Sequence, residues 1–158
     1  MSDVVREAGD TDMPGTTALG HVRYATMGGA GIGDELVQPL VGKGLAVAHN
    51  GTLTNVKTLR EQAGYAGDGD TAVLLHLYDE GGGIEDFLRC LQVVEGAWSI
   101  VALVDGMLVV GRDPHGFRPL VLGTLGEALV VASETTALDY VGASYTREVQ
   151  PGEVLGFR

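Results

Sequence analysis

The sequence predicts an α+β protein whose sheet is mostly antiparallel. Helix-like and strand-like segments occur in blocks: three of the four helix-like segments lie between Leu53 and Gly96, and strand-like runs dominate after Gly96. The 25 glycines separate apolar runs, which is typical of short elements joined by tight turns. The segment WSIVALV-DG-MLVVGR predicts a β-hairpin, because Asp-Gly suits the positive φ angles of a type I′ turn.

The first half of the chain predicts two strands and three helices. The runs ALGHVRYAT and LAVAH predict strands over residues 18–26 and 45–49, the second ended by an Asn-Gly pair. Apolar residues at helical spacing predict a helix over residues 53–63, with Gly64 as its stop. A second helix is expected from about Asp70 to Gly81. A third has an apolar face formed by Ile84, Phe87, Leu88 and Leu91.

The second half predicts further strands around one helix. The runs PLVLG and ALVVA read as strands, and a helix is expected over residues 133–141 with Ser133 as its N-cap and Gly142 after its end. The segment REV, a turn at residues 150–153 and the run VLGF complete the chain.

Composition and charge exclude several classes of function. The 158 residues include 10 basic and 21 acidic side chains, and the net charge of −11 without any Lys/Arg run disfavours nucleic acids and anionic membranes as partners. No apolar run approaches the roughly 20 residues that span a bilayer, and the polar amino terminus does not resemble a secretory signal. We therefore expect one soluble, cytoplasmic domain.

The cysteine and histidine content argues against a metal or a cofactor. One cysteine, Cys90, excludes an internal disulfide and any multi-cysteine metal site within the chain. The four histidines show no metal-ligand spacing, and no phosphate-binding glycine loop with its lysine is present. Cys90 is expected on the third helix as a small buried side chain.

Two motifs carry side chains suited to binding an amino acid. Arg23 lies in an otherwise apolar segment, and its planar guanidinium could bind a carboxylate through two hydrogen bonds, with Thr26 adding a hydroxyl. A structural ion pair is the alternative, and Arg23 taken alone favours it. Asp70 precedes a predicted helix, where a carboxylate is usually a cap but could also hold an ammonium group.

Two further motifs concern turns. Asn50 and Gly51 follow a buried strand, where an amide N–H₂ and a glycine N–H could stabilise an oxyanion, although an ordinary Asn-Gly turn is the commoner explanation. The segment RDPHGFRPL predicts a rigid turn in which His115 is structural rather than catalytic.

Together these motifs resemble the glutaminase domain of class II glutamine amidotransferases, which are N-terminal nucleophile hydrolases. Within that class they are most similar to the amidophosphoribosyltransferases. The segments that carry the resemblance occur in the family's order and are GHVRYATMG, QPL, AHNGTLTNVKTLR, GDGDTAVLL, GAWSIV, RDPHGFRPLVLG, VVASETTALDYVGA and REVQPGEV. The resemblance implies a four-layer αββα sandwich. It also implies glutamine hydrolysis that supplies ammonia for phosphoribosylamine formation in purine synthesis.

The resemblance also implies a role for each matching residue. Arg23 and Thr26 would hold the α-carboxylate of glutamine, Asp70 its α-ammonium group, and Asn50 with Gly51 would form the oxyanion hole. Residues 27–34 resemble a loop that closes over bound glutamine, and their glycine content suits a lid.

The chain departs from the family at its start. The family uses an amino-terminal cysteine as nucleophile, whereas this sequence begins with Met1 and has its one cysteine on a predicted helix. We therefore expect residues 1–158 to be one amidotransferase domain, truncated at its amino end, without its first strand and without a phosphoribosyltransferase domain. Such a chain is expected to be inactive alone.

Three interpretations remain open at this stage. The chain could be a fragment of a glutamine-hydrolysing enzyme, or a non-catalytic module that binds glutamine for regulation. It could also be a structural subunit, either a homo-oligomer or bound to a partner chain that completes the sheet, because unpaired strand edges favour such pairing.

Overall fold

The computed structural model describes residues 15–22, 37–42, 44–67, 69–79 and 81–158, and these form an α+β fold with two antiparallel sheets. The strands are β1 (Leu40–Gly42), β2 (Leu45–Leu53), β3 (Gly96–Val104), β4 (Met107–Arg112), β5 (Val121–Leu125), β6 (Ala128–Ala132), β7 (Ser144–Glu148) and β8 (Val154–Phe157). The helices are α1 (Val56–Ala63), α2 (Ala72–Leu77), α3 (Gly83–Val93) and α4 (Thr135–Val141). The predicted fold class is confirmed.

The two sheets differ in size and in strand order. The large sheet has the order β1-β2-β3-β4-β8, and the small sheet has the order β6-β5-β7. Every pairing in both sheets is antiparallel, and β2 pairs with β3 over its whole length, from Leu45 opposite Val104 to Leu53 opposite Gly96. The long β2–β3 ladder therefore fixes the position of every residue of β2.

Three separate hydrophobic clusters show that the chain forms four layers. The first lies between helices α1–α3 and the large sheet and includes Leu59, Phe87 and Val109. The second lies between the two sheets and includes Val110 and Leu122, while the third lies between the small sheet and α4. Because side chains alternate along a strand, the adjacent valines of β4 enter different clusters. The expected αββα sandwich is confirmed.

The hairpin predicted from the Asp-Gly pair is present. Strands β3 and β4 pair up to Val104 opposite Met107, and the two residues between them, Asp105 and Gly106, have φ angles of +48° and +79°. Positive φ at both central positions is the conformation that a type I′ turn requires.

Several predicted boundaries were wrong. Residues 18–22 have no regular secondary structure, and the rest of the strand expected over 18–26 lies outside the described residues. None of the strand pairings among the described residues includes residues 18–22, and strand propensity alone does not form a strand without a ladder partner. Strand β2 also continues to Leu53, and helix α1 consequently begins at Val56 rather than at residue 53.

The predicted cap of the last helix was also wrong. Helix α4 begins at Thr135, and its N-cap position is held by Glu134, which has extended backbone angles and no side-chain capping bond. Strand β6 occupies the chain up to Ala132, so the turn into the helix uses both of the next residues. Gly142 ends the helix in the left-handed conformation, as the sequence predicts.

The described helices have at most 11 residues, and none of them is long and apolar enough to cross a membrane.

Candidate functional site

Strand β2 carries the motif His49-Asn50-Gly51 inside its ladder rather than in a turn. Asn50 lies opposite Ser99, and Gly51 lies opposite Trp98. Gly51 has a φ of +148°, and a Cβ atom at this position would overlap the carbonyl oxygen of Ala97. The expectation that Asn50 and Gly51 end the strand was therefore wrong. The strand continues because glycine allows this close approach of the two backbones.

The ladder determines the direction of the Gly51 N–H. The N–H of Trp98 donates to Asp113 Oδ2 at 3.2 Å and its carbonyl accepts from the Asp113 N–H at 2.8 Å, so both groups of Trp98 face away from β2. In an antiparallel ladder such a position is a non-hydrogen-bonded pair, in which both partners direct their backbone groups outward. The Gly51 N–H consequently points to the side of β2 on which β1 lies.

Side-chain oxygens bind the backbone N–H groups on that side of β2, before and after Gly51. β1 pairs with β2 only as far as Val47. The side-chain oxygen of Gln38 then accepts from the His49 N–H at 2.6 Å, and Asp70 Oδ2 accepts from the Leu53 N–H at 3.3 Å. The N–H of Gly51 lies between these two positions along the same strand edge, where an oxygen atom of a ligand can be bound.

The carboxylate of Asp70 is also bound by the next residue in the chain, Thr71. Its Oδ1 accepts the backbone N–H of Thr71 at 2.8 Å and lies 3.3 Å from the Thr71 hydroxyl. The N-cap position of helix α2 is Thr71, and no side chain caps that helix. The side chain of Asp70 is 33% exposed, so the carboxylate retains accessible surface with which it can bind a cation.

His49 is a deeply buried polar residue at the site. Its side chain is 1% exposed, and its Nδ1 lies 3.1 Å from the Thr71 hydroxyl and 3.8 Å from Asp70 Oδ2. Burial lowers the pKa of His49 below its usual 6.5, while Asp70 and the Ala97 carbonyl act in the opposite direction. Electrostatic repulsion from Arg118 adds to the lowering, so the imidazole is predominantly neutral at pH 7.

Asn50 lies on the opposite face of β2 from His49. Side chains alternate along the strand, and His49 has the same parity as Val47 and Leu53, which belong to the cluster under the helices. Asn50 and Thr52 therefore face the side of the small sheet. Asp70 directly precedes Thr71 and helix α2, and it contacts the edge of β2 at Leu53. Asp70 and Asn50 therefore lie near the same edge of β2.

A groove of about 800 Å³ adjoins this end of the strand. It lies beside the ends of β2 and β3 and is bounded on its other side by the segment RDPHGFRPL. Its lining includes Thr52, Ala97, Pro114, Phe117 and Arg118. The groove provides space for a small molecule beside Thr52, the residue that follows Gly51 in β2.

Hydrogen bonds involving Arg112 and Asp113 hold the wall of the groove. Asp113 is fully buried, and its carboxylate accepts backbone N–H groups of Trp98, His115 and Phe117 at 2.9 to 3.2 Å. Burial alone would raise the pKa of Asp113, but these hydrogen bonds lower it below 3.8. Arg112 binds carbonyl oxygens of Gly116, Arg118 and Val149 at 2.7 to 2.9 Å. The imidazole of His115 lies 5.5 Å from the ring of Phe117, measured between centroids.

Cys90 does not belong to this site. It lies on α3 within the cluster between the helices and the large sheet, where its side chain is buried as expected. Burial raises the pKa of its thiol to about 11, so it carries no appreciable thiolate at neutral pH. Among the described residues, no group of three or more acidic, histidine or cysteine side chains could hold a metal ion.

Some of the predicted residues cannot be placed. Arg23, Thr26 and the loop at residues 27–34 lie outside the described residues. Sequence reasoning in turn missed His49, Thr71 and Gln38, although all three lie within motifs that it singled out. Their partners are 11 and 22 residues away along the chain, which no local pattern reveals.

A family model described as "glutamine amidotransferase domain" matches residues 32–140, which include β2, Asp70 and the groove wall. The chain belongs to this family. The resemblance identified from the motifs is thereby confirmed.

Individual relatives agree with the family assignment. The amidophosphoribosyltransferase of Bacillus subtilis is 40% identical over 98% of this chain, and the chloroplastic amidophosphoribosyltransferase 1 of Arabidopsis thaliana is 44% identical over 98%. The chain covers 35% and 29% of these two proteins. It therefore spans about a third of the length of the relatives that it matches.

Solved structures show the same fold. The glutamine phosphoribosylpyrophosphate amidotransferase of B. subtilis, solved in complex with ADP and GMP, matches with a TM-score of 0.74 and 42% identity over 86% of this chain and 31% of its own. A second structure, an allosteric regulatory enzyme of purine biosynthesis, gives a TM-score of 0.76 and 43% identity over 86% of this chain and 32% of its own.

Proposed function

We propose that this chain binds free glutamine at the edge of β2 and is the glutaminase domain of an amidophosphoribosyltransferase. One observation carries the proposal: Asp70 is bound to Leu53, two residues along the strand from Gly51. Two residues of a strand cover about 7 Å. This length suits a ligand that presents an ammonium group at one end and an amide carbonyl at the other, as glutamine does.

Each end of glutamine has a matching group in this arrangement. The exposed part of the Asp70 carboxylate would accept the α-ammonium group. The amide carbonyl would lie against the Gly51 N–H and the Asn50 side-chain amide, which stabilise negative charge on that oxygen during attack on the carbonyl carbon. Arg23 and Thr26 would bind the α-carboxylate, as the family resemblance implies. Residues 27–34 would correspond to the loop that closes over glutamine in the family that the motifs resemble.

Hydrolysis also needs a nucleophile, and Cys90 is unsuited to that role. Its thiol is buried in a hydrophobic cluster and its pKa is about 11. In the family resemblance the nucleophile is an amino-terminal cysteine whose own amino group acts as the base. We propose that Cys90 takes no part in glutamine hydrolysis at this site. A non-catalytic, glutamine-sensing role is therefore the second candidate function.

The same proposal covers the extent of the domain, its location in the cell and its partners. Residues 1–158 would form one amidotransferase domain, and transfer of the ammonia to a phosphoribosyl group would require a further domain. The soluble composition and the acidic charge fit a cytoplasmic protein, either a homo-oligomer or bound to a partner that completes a sheet.

Glutamine titration followed by NMR tests the proposal directly. We expect L-glutamine to shift the amide signals of Gly51 and Leu53 and Asp70→Asn to weaken binding at least tenfold, because the charge-assisted contact to the ammonium group is lost. Asp139→Asn is the matched control, since Asp139 is exposed on α4. Unchanged binding in Asp70→Asn, or equal binding of D-glutamine and L-glutamine, would contradict the proposed site.

A further inference from the structure

The imidazole of His49 connects the two elements that form the site. His49 lies on β2 directly before Asn50, and its Nδ1 lies 3.1 Å from the hydroxyl of Thr71, the N-cap residue of α2. Both side chains are buried, and this contact joins positions 22 residues apart in the chain.

Thr71 carries this connection to Asp70. The Thr71 hydroxyl lies 3.3 Å from Asp70 Oδ1, and the Thr71 N–H donates to the same oxygen at 2.8 Å. The other carboxylate oxygen of Asp70 accepts from the Leu53 N–H at 3.3 Å. The carboxylate is thus attached to β2 in two ways, directly through Leu53 and indirectly through Thr71 and His49.

We propose that His49 is a positioning residue that acts through Thr71 to orient the carboxylate of Asp70 toward the α-ammonium group of the amino-acid ligand. This inference rests on the proposed glutamine site and goes beyond it by assigning a role to a buried side chain that does not touch the ligand.

The contacts explain why an imidazole suits this position. A neutral imidazole can share one hydrogen bond with the Thr71 hydroxyl without bringing a competing positive charge to Asp70. An ammonium ligand then meets a carboxylate whose two oxygens are already fixed in direction. Loss of the His49–Thr71 contact leaves the Thr71 hydroxyl, which contacts Asp70 Oδ1, without its anchor on β2. The cost of orienting the carboxylate is then added to the cost of binding.

Two ligands distinguish an effect on the orientation of the Asp70 carboxylate from a general loosening of the site. L-Glutamine carries the α-ammonium group, whereas glutaramic acid has the same carbon chain, carboxylate and amide but no ammonium group. We define the ammonium preference as the Kd of glutaramic acid divided by the Kd of L-glutamine, both measured by NMR titration of the full chain. A change in Asp70 orientation alters this ratio, whereas a general loosening of the site alters both affinities together.

Four variants give the test. His49→Leu removes the ring nitrogens, and His49→Asn keeps a polar atom near the position of Nδ1. Thr71→Val removes the hydroxyl with little change of shape, and Thr71→Ser retains it. We expect His49→Leu and Thr71→Val each to lower the ammonium preference roughly five- to tenfold, the loss of one buried hydrogen bond. His49→Asn and Thr71→Ser should restore most of it.

The outcomes separate this inference from the proposed function. An unchanged ammonium preference in His49→Leu or Thr71→Val, or equal weakening of both ligands, overturns the positioning role. Absence of any glutamine binding, or of any ammonium preference in the unmodified chain, overturns the proposed function and this inference with it. If His49→Leu does not fold, the comparison of Thr71→Val with Thr71→Ser decides the question alone.

Discussion

The side-chain oxygen of Gln38 accepts a hydrogen bond from the backbone N–H of His49 at 2.6 Å. The pairing of β1 with β2 ends at Leu40, which lies opposite Val47, and Gln38 precedes Leu40 by two residues. A side chain thus replaces the backbone acceptor that a longer strand would supply, and it does so immediately before the Asn50-Gly51 pair.

This relationship predicts a local effect of substitution at Gln38. Gln38→Ala should destabilise the fold by about 1–2 kcal/mol, because a partly buried N–H loses its acceptor. The His49 amide should also exchange with solvent faster in hydrogen-exchange measurements. Gln38→Glu is the matched control, since its carboxylate can still accept. Equal exchange of the His49 amide in both variants would contradict this assignment.

Gly51 predicts a larger effect for a different reason. Gly51→Ala would place a methyl group against the Ala97 carbonyl at a φ of +148°, so we expect a loss of about 3 kcal/mol or more, measured by urea unfolding. Gly126→Ala is the control, because Gly126 also has a positive φ of +60° but no atom lies within 4 Å of an added Cβ. That variant should cost only about 1–2 kcal/mol. Similar losses in the two variants would show that the contact with Ala97 is unimportant.

The Asp105-Gly106 and Asn50-Gly51 pairs show which parts of the fold the sequence could and could not predict. Element types followed from local periodicity, and the Asp105-Gly106 turn was predicted because both of its residues are adjacent in the chain. The Asn50-Gly51 pair has the same local appearance as a turn, but pairing with β3 keeps it within a strand. Tertiary pairing overrides turn propensity here, and no pattern within a few residues could reveal it.

The candidate site divides in the same way. Asp70, Asn50 and Gly51 were selected because their motifs carry recognisable chemistry, and their catalytic and binding roles stay predictions. His49 and Thr71 were missed because a single histidine or threonine in a sequence indicates no function until its partner in the fold is known. Their hydrogen bond spans 22 residues, so only the folded chain brings them together.

The buried imidazole predicts a pH dependence of stability. Burial lowers the pKa of His49 in the folded state below 6.5, despite the nearby carboxylate of Asp70. The unfolded chain therefore takes up a proton that the folded chain does not. The free energy of unfolding should fall as the pH decreases below about 6.5, by at most about 1.4 kcal/mol per pH unit.

Urea unfolding at pH 7, 6 and 5 measures this dependence. In His49→Asn the decrease between pH 7 and pH 5 should be much smaller, since the titrating group is absent. The carboxyl groups of Asp86, Asp113 and Glu153 have pKa values below their usual ones, so their contributions are lost only at lower pH. A pH dependence that is the same in both proteins would contradict a neutral buried His49.

The hydrogen bonds of Asp113 should contribute both to the stability of the fold and to the shape of the groove. Its fully buried carboxylate accepts three backbone N–H groups, two of them from the segment that lines the groove. Asp113→Asn keeps the size of the side chain but turns one acceptor into a donor that faces N–H groups. We expect a loss of about 2–4 kcal/mol, measured by urea unfolding at pH 7, since hydrogen bonds to charged groups contribute about 1.5–3 kcal/mol each.

The same variant should change the groove without changing the edge of β2. The amide signals of His115 and Phe117 should shift in NMR spectra of Asp113→Asn, because their acceptor is altered. Those of His49 and Leu53 should stay near their original positions, because Gln38 and Asp70 bind them independently of Asp113. Asp139→Asn should leave both sets unchanged. If Asp113→Asn is as stable as the unmodified chain, the three N–H groups have other acceptors, and the groove wall is held by Arg112 alone.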